Sequence, residues 1–319
     1  MLNPPLPLED KTVLITGATS GIGRAMALAA GCMGAKVLLL GRNASTGEDV
    51  LRRMERAGHG GSAFIQTDLS SLAEVRKAAV RAATQCDRID VLINNAGARY
   101  DRFAQSADGV ELTFATNHLG HFLLTALLLE RVLDAERGRI ITVSSGAHHA
   151  ATPGPSWDMR AEHYDRRQAY ARSKLANLLF AYQLAERLQH TAVTSNGLTP
   201  GGVASNFARN NGLFSWMRHG LSHLLRRELI TPATAARALL KLAAAPEFAC
   251  VTGCYFFLDA VATSSPTSYN RDAALSLWST SVRLCKLDAR LGRAWEFVKP
   301  EAEPHQGQTS ISTSAAWYR

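Results

Sequence analysis

The chain has 319 residues, 46% of them hydrophobic, which is enough to bury a sizeable core. Its length suits one domain of about 250 residues with additions, and no linker composition divides it. The formal net charge of +8 comes from dispersed basic residues with no recognition-helix or RNA-binding motif, which argues against a nucleic-acid partner.

The β-branched apolar run 12–16 reads as a first strand. It runs at once into Gly17-Ala18-Thr19-Ser20-Gly21-Ile22-Gly23, and an apolar, alanine-rich helix is predicted over 24–35. Strand, glycine turn and helix in that order are what a pyrophosphate site requires. The glycines allow a tight turn and close approach of the phosphates, and the helix start offers unpaired N–H donors.

A second strand, 36–40, ends in Gly41-Arg42-Asn43. A site selective for NAD typically has an acidic residue near that point for the ribose 2′-hydroxyl. Here Arg42 stands there instead, with Arg24 as a second cation. Two guanidinium groups suit a 2′-phosphate through forked, charge-assisted hydrogen bonds, so NADP(H) is expected over NAD(H).

The third strand, 64–69, ends in Asp68-Leu69. Asp68 would bond an adenine amino group, and Asp is also a frequent helix N-cap. The fourth, 89–97, runs into Asn94-Asn95-Ala96-Gly97, whose small residues let a flat ring lie close to the chain. A long crossover helix is predicted within 111–137 and contains Asn117, His118 and His121. The two histidines read as packing or polar-edge groups, since no third metal ligand has convincing spacing. The fifth strand, 139–143, ends at Ser144-Ser145, followed by His148-His149, either of which would line a substrate mouth.

Tyr170 follows Ser145 by 25 residues, at the start of a helix predicted over 165–189. Tyr170 and Lys174, four apart, share a helical face. A fixed cation beside a phenol favours the phenolate and brings its pKa toward neutrality. The sixth strand, 192–198, ends at Thr199-Pro200-Gly201-Gly202, and 253–257 reads as a seventh. Between them, Val203 to Ile230 carries Phe207, Phe214, Trp216, Leu221 and Leu224. That stretch would cover a lipophilic substrate or, as a basic amphipathic segment, touch a membrane surface. A helix is expected over 273–290. From 301 onward Pro, Gln, Ser, Thr and Gly dominate, so 1–295 forms the domain and 296–319 a mobile tail.

Each motif falls at the carboxyl end of a predicted parallel strand, where ligands bind in open α/β sheets. The whole set resembles the short-chain dehydrogenase/reductase family, over about 11–291. Phe114-Ala115-Thr116-Asn117-His118-Leu119-Gly120-His121-Phe122, Val143-Ser144-Ser145-Gly146-Ala147-His148, Val251-Thr252-Gly253-Cys254-Tyr255-Phe256 and Leu277-Trp278 are similar to its retinol dehydrogenase and carbonyl reductase branch. The resemblance implies a single doubly wound α/β domain of Rossmann type with a central parallel seven-stranded sheet. It implies a catalytic tetrad of Asn117, Ser145, Tyr170 and Lys174, with Asn117 holding a proton-relaying water. The cofactor would lie against Gly17, Thr19, Ser20, Gly21, Ile22 and Gly23, with Arg24, Arg42, Asp68 and Leu69 toward its adenosine end. Asn95, Ala96, Gly97, Tyr170, Lys174, Pro200, Gly201 and Val203 would border its other half. The branch commonly has a histidine where Thr199 stands. The family also implies a homodimer or homotetramer built on the helices of 111–137 and 165–189.

No run of about 18 uninterrupted apolar residues occurs, so no membrane-spanning helix is expected, and the first residues lack a signal-peptide pattern. The five cysteines are scattered and odd in number, as in a reduced, cytoplasmic protein. The expected activity is reduction of a lipophilic aldehyde or ketone, reversible to alcohol oxidation. A silent dinucleotide sensor or scaffold, or an enone reductase, are the alternatives.

Overall fold

In the computed structural model the described residues are 7–152, 154, 156–202 and 230–300. Residues 203–229 of the expected substrate cover and 301–319 of the expected tail 296–319 lie outside them, while the start of that tail is ordered, Trp295–Val298 forming a short helix with Val298 buried. Eight strands form one sheet in the order β3-β2-β1-β4-β5-β6-β7-β8. They are β1 (Thr12–Thr16), β2 (Lys36–Gly41), β3 (Ala63–Gln66), β4 (Val91–Asn94), β5 (Arg139–Val143), β6 (Thr194–Thr199), β7 (Tyr255–Phe257) and β8 (Ala260–Ala262). All neighbouring pairs are parallel except β7 and β8.

Among the described residues the longer helices are α1 (Gly21–Cys32), α2 (Ala44–Arg56), α3 (Leu72–Gln85), α4 (Leu112–Leu133), α5 (Arg166–Arg187), α6 (Pro232–Ala244) and α7 (Arg271–Leu284). Helices cover both faces of the sheet, so its central strands are buried on both sides and read as continuous apolar runs rather than alternating ones. Alternation survives in which layer each side chain joins. Leu14, Leu38 and Leu92 point into the layer of α3, α4 and α5, while Val13, Ile15, Val37 and Ile93 meet α1 and α6.

The expected parallel sheet of seven strands therefore gains an eighth, antiparallel one. Leu258 adopts a left-handed backbone, φ 58°, between Phe257 and Ala260 and turns the chain back along β7. Asp68 does not cap α3. Ser71 does, its hydroxyl accepting from the Glu74 N–H, while Asp68 Oδ1 accepts from the N–H and hydroxyl of Ser70.

Helix α4 begins at a carboxylate cap, Glu111, which accepts from the N–H groups of Thr113 and Phe114 at 2.7 and 2.9 Å. Its stretch Ala115–Leu119 is wound as a π-helix. By length and composition α4 could cross a membrane, yet 89% of its most apolar 18-residue window is buried inside the protein. It is a core helix here.

The C-terminal segment packs against α4 and α5. Trp278 of α7 meets Phe122 edge-on at 5.1 Å and stacks on Phe180 at 5.9 Å, with the Arg187 guanidinium over its ring and its Nε1–H donated to the Val298 carbonyl. From Ala169 to Ala185 no residue of α5 is exposed. The C-terminal segment thus covers part of the two helices expected to pair with copies in a partner.

Candidate active site

The sheet order reverses direction between β1 and β4, and the crevice above their carboxyl ends collects the expected residues. Gly17 and Gly21 hold left-handed φ values of 68° and 51° that other L-residues adopt at a cost. A Cβ on Gly23 would collide with the Gly17 carbonyl oxygen, so that glycine lets α1 start directly over the turn. A Cβ on Gly41 would come 2.6 Å from Thr19 Cγ2. Ser20 is the N-cap but makes no side-chain cap bond, and the first turn of α1 has no acidic residue. The first N–H groups of α1 therefore face the crevice without a side-chain partner and without a repelling carboxylate. This fits a bound pyrophosphate.

Arg42 is exposed at the end of β2. Arg24 lies 3.9 Å from Asp49, which is closer to Arg53 at 2.9 Å. Neither β2 nor the Arg42-Asn43 pair after it contains a carboxylate. Leu69 is buried, its carbonyl oxygen packed so closely on Gly120 that a Cβ there would overlap it.

On the other side of the crevice the Thr16 hydroxyl oxygen accepts from the N–H groups of Asn95 and Ala96 at 2.9 and 3.0 Å, and the Asn95 amide donates to the Thr16 carbonyl at 2.8 Å. Segment 95–98 is thereby pinned onto the glycine turn. Gly97 at its crest is exposed. Pro200 is buried beside Gly201, whose φ of 78° redirects the chain after β6. Val203 lies outside the described residues.

Ser145 ends β5 and caps a short 3-10 turn, Gly146–Ala150, accepting from the Ala147 N–H at 3.3 Å. Burial raises the Tyr170 pKa above the usual phenol value; the nearby Ser145 hydroxyl and the charge of Arg99 oppose that rise. The acidification expected from Lys174 is not what the geometry delivers. Lys174 Nζ, 5.9 Å from the centre of the Tyr170 ring, is directed to the Val143 carbonyl at 3.0 Å. Burial without a carboxylate partner takes the Lys174 pKa down to about 8.

Asn117 sits in the π-wound part of α4. Its Oδ1 accepts from the Ala98 N–H at 2.7 Å, and its amide donates to the Ala98 carbonyl and to Ser173 Oγ, both at 2.9 Å. That side chain is spent, so any part of Asn117 in proton transfer has to go through its backbone carbonyl.

Three further residues shape the site. Arg99 follows the Asn-Asn-Ala-Gly run with no local pattern that marks it. His148 does not line a mouth; it is fully buried, its Nδ1–H donated to the Ser145 carbonyl at 2.7 Å and its Nε2 accepting from the Ser265 N–H at 3.1 Å. Ser173 bridges Asn117 to the Tyr170 carbonyl, to which it donates at 2.8 Å.

A short chain dehydrogenase family model matches residues 11–214. Retinol dehydrogenase 13 of Homo sapiens is 36% identical over 289 residues, spanning 88% of this chain and 86% of that protein. Among solved structures, an uncharacterised protein from Mycobacterium paratuberculosis superposes with a TM-score of 0.69 at 30% identity, covering 88% of this chain and 95% of that one. The Pseudomonas aeruginosa RhlG/NADP active-site complex has a TM-score of 0.64 at 25% identity, covering 81% and 98%. With its glycine turn, Ser145–Tyr170 pair and reversed sheet order, the chain belongs to the short-chain dehydrogenase/reductase family, is retinol dehydrogenase-like, and is an NAD(P)-dependent oxidoreductase acting on CH–OH groups.

Proposed function

We propose that the protein is an NADP(H)-dependent oxidoreductase that interconverts a lipophilic aldehyde or ketone and its alcohol, with Tyr170 as the acid/base. The observation that carries this reading is the convergence of Ser145, Tyr170 and Lys174 at the carboxyl end of β5, where Lys174 bonds the Val143 carbonyl and the Ser145 hydroxyl is near enough to the phenol to act on its pKa. When bound, the nicotinamide supplies or accepts the hydride.

The chain's own residues handle charge and protons. Ser145 and Tyr170 would donate to a substrate carbonyl oxygen and stabilise the negative charge that develops on it. Burial keeps the phenol protonated, so Tyr170 enters reduction as the acid and gives its proton to that oxygen. Lys174, with its pKa near 8, exchanges protons readily around neutrality and would resupply the phenolate. Asn117 and Ser173 hold the two sides of the crevice together, Asn117 through Ala98 and Ser173 through the Tyr170 backbone.

NADP(H) is favoured because Arg42 follows β2 where an NAD site typically has an acidic residue, with Arg24, shared with Asp49 at 3.9 Å, as a second cation; the likeness to an NADP-bound structure supports the same choice. The lipophilic substrate class follows from the expectation for the apolar stretch after Val203, which lies outside the described residues. A reduced, cytoplasmic setting accords with five free cysteines. Self-association as a homodimer or homotetramer through the helices of 111–137 and 165–189 is part of the proposal.

NADPH consumption followed against aldehydes, ketones and enones tests the reading. Turnover of carbonyls that disappears in Tyr170→Phe while NADPH still binds is the expected result. Substantial carbonyl reduction by Tyr170→Phe removes the role given to Tyr170, and turnover confined to enones changes the reaction class.

A further inference from the structure

His121 lies one helical turn beyond Asn117 and is almost fully buried, at 1% exposure. Its two ring nitrogens have different partners. Nδ1 is 2.9 Å from the Asn117 carbonyl oxygen, which can only accept, so Nδ1 carries the proton. Nε2 then holds a lone pair 2.8 Å from Thr16 Oγ1, and the threonine hydroxyl must be the donor. The hydroxyl oxygen accepts the Asn95 and Ala96 N–H groups on its remaining lone pairs. A longer contact from the same hydroxyl to the Ile93 carbonyl, 3.3 Å, is the weaker of its two donor options.

These bonds form one buried chain. It runs from the Asn95 and Ala96 amides through Thr16 and His121 to the Asn117 carbonyl. The Asn117 side chain continues it to both backbone atoms of Ala98 and to Ser173, which reaches the Tyr170 carbonyl. Gly17 packs so tightly on this segment that a Cβ there would come 3.0 Å from the Ala96 Cα. A small movement of 95–96 therefore displaces a wall of the phosphate cradle.

We propose that His121 is a positioning residue: as a neutral, Nδ1-protonated imidazole it fixes the π-wound turn of α4 against segment 95–98, and so sets the cofactor groove and the approach of Tyr170 to it. It touches neither substrate nor reacting atoms. The proposal rests on the reading of the crevice as a dinucleotide site. Neutrality is essential to it. A second proton, on Nε2, would be a third donor aimed at an oxygen already accepting two; the Lys174 charge opposes it, and a charge on His121 would in turn bear on the buried His118.

The test combines binding and spectroscopy. His121→Phe keeps ring volume and loses both bonds; it should weaken NADPH binding, measured by fluorescence titration, about tenfold, the scale of one net buried hydrogen bond. His121→Gln, whose amide reaches the former Nε2 position and can accept from Thr16, should recover most of that loss. In nitrogen-resolved NMR of the native protein, the His121 ring should show a slowly exchanging Nδ1–H that is unchanged from neutral to mildly acidic pH. Unaltered NADPH affinity in His121→Phe, or an Nε2–H tautomer, overturns the proposal. Should His121→Phe fail to fold, the tautomer measured on the native protein decides. Tyr170→Phe is measured beside them. If it retains turnover, the catalytic reading falls while the binding and tautomer arms still judge His121; if the native protein does not bind NADPH, the dinucleotide reading falls and the tautomer alone judges the geometry.

Discussion

Acid should destabilise this fold through a histidine that no chemistry uses. His118 is 1% exposed and is enclosed by Phe114, Phe122 and Phe180 at ring distances of 5.1, 6.0 and 6.0 Å, with its Nε2 3.0 Å from Ser281 Oγ. Burial, assisted by the charge of His121, takes its pKa from 6.5 down to about 3. The unfolded chain therefore binds the proton first, and stability is lost as pH falls below 6.5 toward 3. The slope approaches about 1.4 kcal/mol per pH unit for each such histidine, so His118 alone costs about 2 kcal/mol by about pH 5. His121, with its pKa down to about 4, adds a similar loss over the same window.

The perturbation is His118→Phe, read by urea unfolding at about pH 7.5 and about pH 5. Loss of the Ser281 bond shifts the variant's stability at both pH values alike. The difference between the two pH values should shrink by about 2 kcal/mol relative to the native protein. Parallel pH profiles for the two proteins would refute the argument, because they would mean that the imidazole protonates in the folded state as readily as in the unfolded one.

Gly23→Ala forces its methyl group into the Gly17 carbonyl, so NADPH binding should be lost in a titration even if the variant still folds. Arg42→Ala together with Arg24→Ala should weaken NADPH far more than NADH, and equal losses for both cofactors would dismiss the assignment of those cations to a 2′-phosphate. Trp278→Ala removes the contacts to Phe122, Phe180 and Arg187; on the scale of large-to-small core substitutions it should cost about 3–5 kcal/mol in chemical denaturation, and a cost under about 1 kcal/mol would show the C-terminal segment to be loosely attached.

Much of the fold could be read from the residues because the central strands are short runs of apolar residues bounded by turn chemistry. Thr12–Thr16 and Arg139–Val143 are strands at those bounds, and Asp165 caps α5 through bonds to the Arg167 and Gln168 N–H groups. The third, fourth and sixth strands are shorter than the apolar patterns suggested. Strand β8 escaped notice because Ala260-Val261-Ala262 is three residues long, largely exposed and without alternation, and is fixed only by its pairing with β7.

The glycine turn, Ser145, Tyr170 and Lys174 were legible because their spacing is local or their strand ends converge. What they do to one another was not. Direction of the Lys174 ammonium depends on the Val143 carbonyl, a partner 31 residues away, and the charge nearest in effect to the phenol comes from Arg99 on a different strand's loop. The π-winding at Asn117 has no composition of its own. His148 looked like a mouth residue by sequence position, and became a buried clamp only because the loop at Ser265 folds over it.

The sheath formed by α7 over α4 and α5 bears on how the molecule behaves when diluted. Proteins whose central helices are completed by a neighbour lose stability as concentration falls, because assembly and folding share one equilibrium. Here the ring cluster around Trp278 is completed within one chain, so the stabilisation that cluster contributes should not depend on protein concentration.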